Sequence, residues 1–142
     1  MLILKRHILV CLFLTTCAAL GQVAFKKGEG QMEISINGES FATYVWNDLE
    51  TTRPYFKQVH EPDEGIQVTR NHPPKAGDFS DHDTYHPGIW WGFGDVGGND
   101  YWRMEAKIIG GTFIEEPRGG KDRGTFAVRN QLLTNEGTET FC

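Results

Sequence analysis

Two histidines, four aspartates and three tryptophans fall within Asp81 to Trp102, in the run Asp-His-Asp-Thr-Tyr-His-Pro-Gly-Ile-Trp-Trp-Gly-Phe-Gly-Asp-Val-Gly-Gly-Asn-Asp-Tyr-Trp. Imidazole titrates near neutral pH, and a neighbouring carboxylate fixes its tautomer. His82 and His86, with Asp81 or Asp83 beside them, are therefore candidates for acid and base work at a sugar carbon or glycosidic oxygen. The same imidazoles with Asp81 or Asp95 have the donor types of a divalent metal site, although no closely spaced ligand motif accompanies them. Trp90, Trp91 and Trp102 offer flat apolar faces for a ring-shaped ligand, with Arg70 and Asp95 as polar groups to orient it. Each assignment has a plainer alternative. The imidazoles can pack on rings or tie a loop, the tryptophans can be core, and Arg53 and Arg70 can simply pair with loop aspartates.

His82 and His86 are four apart, a spacing that aligns side chains on a helix. Pro87 and the turn-forming neighbours argue against one, so ring directions are not fixed by spacing. The glycine pattern Gly92-Phe93-Gly94-Asp95-Val96-Gly97 is that of a dinucleotide loop, but no crossover helix follows and Asp95 puts negative charge where phosphate would sit. In a strand, Trp90 and Trp91 must face opposite ways.

The elements that position these residues read as strands. Met32, Ile34 and Ile36 alternate with polar residues, Asn37-Gly38 marks a hairpin turn, and Phe41 to Trp46 returns. Arg53 to His60 reads as a strand starting at Pro54, and Ile66 to Arg70 as a short strand after the turn Glu61 to Gly65. From Asn71 to Gly88 there is no periodicity. A long aperiodic loop bearing His72, His82 and His86 is where function concentrates. Ala106 to Ile109 and Thr112 to Ile114 flank Gly110-Gly111, Pro117 to Gly124 is a charged loop, and Thr125 to Leu133 is again strand-like. No helical stripe persists, so the class is all-β. The turn Asn135-Glu136-Gly137 leaves only a short returning strand before Cys142, the pattern of a truncated chain or of one needing a partner strand edge.

Lys5 and Arg6 precede the apolar run Ile8 to Leu14, and small residues lead to Gly21. This predicts a signal peptide over residues 1–21, a domain over 22–142, and a secreted or periplasmic protein; lipidation of Cys17 after Leu14-Thr15-Thr16 is the alternative. Removing the leader takes away two basic residues and no acid, which deepens the net charge of −5 to −7. Such a field disfavours nucleic acid as a partner. Of Cys11, Cys17 and Cys142 only the last lies beyond the leader, so no internal disulfide is expected.

Arg53-Pro54-Tyr55-Phe56, Val68-Thr69-Arg70, Pro73-Pro74, Asp81-His82, His86-Pro87-Gly88-Ile89-Trp90, Phe93-Gly94-Asp95-Val96 and Asp100-Tyr101-Trp102-Arg103 together resemble the secreted bacterial family labelled "methane oxygenase PmoA", also called DUF6807. The match runs from about Arg53 to Trp102 and covers the N-terminal half of longer relatives. A membrane methane monooxygenase subunit must span a bilayer, and no apolar run after the leader is long enough. The resemblance implies instead a soluble β-sandwich, half of a mutarotase-like supersandwich, in carbohydrate metabolism. Asp83-Thr84-Tyr85 stands where relatives have further histidines, which weakens any metal site needing three imidazoles. The expectation is a glycan or other small-molecule ligand held at residues 81–102, with no membrane span. A non-catalytic carbohydrate-binding module and a structural cell-envelope domain are the rivals.

Overall fold

A computed structural model of the chain describes residues 22–141; the expected signal peptide and Cys142 lie outside the described residues. Strands β1 (Val23–Lys27), β2 (Gln31–Ile36), β3 (Glu39–Val45), β4 (Tyr55–Lys57) and β5 (Ile89–Trp90) form an antiparallel sheet in that order. Strands β6 (Asp95–Val96) and β7 (Asn99–Asp100) make a separate two-stranded ribbon. Strands β8 (Ile108–Arg118), β9 (Thr125–Leu133) and β10 (Glu139–Phe141) make a second sheet with β9 in the middle. The described residues contain no helix, so the all-β expectation is met, and no helix is long and apolar enough to cross a membrane.

Alternation explains the first sheet. Met32 and Ile34 point inward from β2, and Ala42 and Tyr44 from β3, where Met32 faces Tyr44 and Ile34 faces Ala42 across the ladder. Asn37 and Gly38 both take positive φ, 56° and 86°, as a tight two-residue turn between twisted strands requires. The inward face meets Phe113 of β8 and Phe126 and Val128 of β9, so the two sheets share one apolar cluster around Met32, Ile34 and Tyr44. A smaller cluster of Tyr101, Ala106, Ile108 and Leu132 lies beneath the ribbon, with Val96 packed on it.

Three local readings differ from the structure. Gly110-Gly111 does not interrupt β8; the strand runs through both, with register shifts. A Cβ on Gly110 would lie 2.5 Å from Pro54 Cγ and one on Gly111 2.4 Å from Trp46 Cδ1, so the glycines let β8 pass under the Trp46 ring. Ile66 to Arg70 forms no strand, and only Gln67 bridges back to His60. The edge strand β1 escaped the sequence reading although it pairs with β2 along its whole length.

Candidate functional site

The site is assembled from the segment Asp48 to Tyr55 outward. The Asp48 carboxylate accepts from the amides of Glu50 and Thr51 at 2.8 and 2.9 Å and from the Tyr55 hydroxyl at 2.9 Å, which locks this turn against β4. Burial pulls the Asp48 carboxyl upward, but those three donors outweigh it and leave it below the usual carboxylate range. From this turn two side chains reach into the loops. Thr51 Oγ1 donates to the Thr84 carbonyl at 3.1 Å, and Arg53, only 2% exposed, donates to the carbonyls of Tyr85, Tyr101 and Trp102. Arg53 is thus a clip between the loop before β5 and the loop after β7.

The rings gather over this clip. The Trp90 ring lies 3.7 Å from the guanidinium carbon, a cation–π contact. Trp102 packs on Trp90 with centroids 4.6 Å apart, and His86 lies 6.1 Å from each, nearly parallel to Trp90. His82 is 6.2 Å from His86. The amides of Tyr85 and His86 both donate to the His82 carbonyl at 2.9 Å, so a hydrogen-bonded turn and not a helix spaces the two histidines. Gly88 follows at φ +154°, and a Cβ there would lie 2.0 Å from the Phe56 carbonyl oxygen, so only glycine lets the chain enter β5 this close to β4.

The structure therefore brings together His82, His86, Trp90 and Trp102, with Asp81 and Arg70 at the border. Arg70 holds Asp81 through its carboxylate at 3.0 Å and its carbonyl at 2.8 Å, and this hydrogen bond lowers the Asp81 carboxyl from its ordinary value. The second Asp81 oxygen is 3.8 Å from His82 Nδ1, outside hydrogen-bond distance. Trp91 and Asp95 are elsewhere. Trp91 faces away from Trp90, packs edge-on against Phe93 at 5.6 Å, and lines an apolar groove of about 650 Å³ with Val96, Ile114, Val128 and Leu132. Asp95 accepts from the Gly98 amide at 2.5 Å and so closes the turn between β6 and β7.

Among the described residues, no group of three or more His, Cys, Asp or Glu side chains is placed to hold a metal ion. His82 and His86 supply two nitrogen donors with no third ligand. Sequence reasoning had Arg53 pairing with a loop aspartate; the structure gives it three backbone carbonyls instead. It was visible beside the loop, but nothing in its spacing says that three distant carbonyls converge on it.

A family model, a family of unknown function, matches residues 31–141. The chain belongs to the DUF6807 family. The match extends well beyond the span from Arg53 to Trp102 and takes in both sheets of this DUF6807 fold from β2 onward. No curated protein and no solved structure matches the chain.

Proposed function

We propose that this DUF6807 chain is an exported β-sandwich domain, residues 22–142, that binds a carbohydrate at the ring cluster within residues 82–102. The observation that carries the reading is the assembly of His86, Trp90 and Trp102 into one cluster, with His82 beside it, over a guanidinium fixed by three backbone carbonyls. Flat rings supply area to a sugar face, while imidazole nitrogens exchange hydrogen bonds with hydroxyls and set orientation. Trp102 is 41% exposed and is the stacking surface, because Trp90 already carries Arg53 on its ring. A cluster held in advance loses little entropy on binding. The shared apolar cluster of the two sheets supports the sandwich, and the leader-like residues 1–21 support export.

An acid–base extension would start from Asp81 and His82, whose carboxylate oxygen and Nδ1 stand 3.8 Å apart. A working pair lies within about 3.2 Å or tightens to it on binding, so His82, His86 and Asp81 as catalytic groups require a ligand-induced closure. Binding without turnover needs no such step.

The test is a titration of tryptophan emission with a panel of mono- and disaccharides. A saturable change is expected, abolished by Trp102→Ala and weakened by the double replacement His82→Ala and His86→Ala. If folded protein gives no saturable response to any sugar, the site is misassigned.

A further inference from the structure

The buried polar side chains among the described residues are Thr51, Arg53 and Asn99, and only Arg53 carries a charge. Its guanidinium contacts three carbonyl oxygens and the Trp90 ring, but among the described residues no carboxylate lies within ion-pair distance of it, and its Nε has no partner. Burying a charge is costly unless an opposite charge compensates it, and carbonyl dipoles do so only in part. Two carboxylates on the segments that Arg53 ties together have other partners: Asp81 is held by Arg70, and Asp100 by Arg103 at 2.5 Å. Burial lowers the Arg53 guanidinium to about 10, so it stays charged at neutral pH.

We propose that the ligand of the ring cluster carries an anionic group, a carboxylate of the uronate type, drawn to the face of His86, Trp90 and Trp102 by the uncompensated charge of Arg53. This rests on the reading of the cluster as a sugar site and narrows it from sugars in general to acidic sugars. Low-dielectric walls carry the field of a buried charge further than water does. The contacts of Arg53 with Trp90 at 3.7 Å and of Trp90 with His86 at 6.1 Å keep the imidazole within ~10 Å of the guanidinium, about one screening length at 0.1 M salt. The chain as a whole is negative, at −5, and would repel an anion, so an acid preference must come from a local field.

The test compares glucuronate with glucose and galacturonate with galactose by calorimetry on the full chain at pH 8, where a free imidazole is uncharged. The acid of each pair is expected to bind at least tenfold more tightly, and Arg53→Met, shown folded by circular dichroism, is expected to weaken both sugars, the acid more, and so erase the difference. Equal affinity for acid and neutral partner overturns the inference and leaves the sugar site standing. A folded Arg53→Met that keeps the preference also overturns it. Absence of binding by all four sugars overturns the site reading and this inference together. Should Arg53→Met fail to fold, or fold and bind none of the sugars, the comparison within each sugar pair on the unaltered chain decides.

Discussion

Between the sheets, Tyr44, Trp46, Phe56, Phe113 and Phe126 pack ring against ring because strand alternation delivers every second side chain to one face. At residues 82–102 the rings of His86, Trp90 and Trp102 come from a hydrogen-bonded turn, a two-residue strand and a loop, and Arg53 ties the turn to the loop through their carbonyls. The first cluster is made by a periodic backbone. The second is made by one buried donor. Stability should therefore reside in the first and ligand recognition in the second, and the two should be separable.

The largest effect is expected from Tyr44→Ala, which empties the centre of the inter-sheet cluster and should cost about 3–5 kcal/mol in chemical denaturation, taking both regions down together. A loss confined to one sheet would show that the cluster does not unite them. Gly88→Ala should come next. Its Cβ would strike the Phe56 carbonyl and prise β5 from β4, for about 2–4 kcal/mol, with near-ultraviolet dichroism of the ring cluster disturbed before the far-ultraviolet strand signal.

Acid should act on the join between the regions. His72 packs edge-on to Tyr55 at 5.2 Å, and burial lowers its imidazole below the ordinary value, so the unfolded chain binds the proton more readily. Its contribution is whole above about pH 6.5 and is lost as pH falls from there through the folded value. Asp48 adds a second loss below about pH 4, because its folded carboxyl is lowered and stability is present only while it is ionised. Melting temperature should thus fall in two steps, and His72→Gln should remove the upper one. A single step unchanged by that replacement would place the acid sensitivity elsewhere.

The smallest effect on stability should follow the double replacement His82→Ala and His86→Ala, within about 0.5 kcal/mol, since both imidazoles are exposed. A much larger loss would make them structural and blur the comparison.

What was legible in the sequence follows the same division. The hairpin at Asn37-Gly38 and the opposed directions of Trp90 and Trp91 could be read because backbone period and turn chemistry are local. Gly110-Gly111 misled because their need arises from Trp46 and Pro54, far away in sequence. Ile66 to Arg70 has strand-forming residues, but Arg70 turns to hold Asp81 and Gln67 donates to the Thr69 carbonyl, so local side-chain bonds replace a ladder. The segment carrying His82, His86 and Trp90 was recognisable by residue type alone. Its geometry was not, because it depends on carbonyls that converge on Arg53 only once the sheets are in place.

Four tryptophans report on the two regions, since Trp46 lies in the inter-sheet cluster, Trp90 and Trp102 in the ring cluster, and Trp91 in the apolar groove. The most direct measurement follows their four indole N–H resonances by nuclear magnetic resonance while a sugar is added. The expected result is a saturable shift of Trp102 and Trp90, with His82 and His86 moving alongside and Trp46 and Trp91 still. Shifts led by Trp91, or none at Trp102, would contradict the assignment of recognition to the cluster that Arg53 holds.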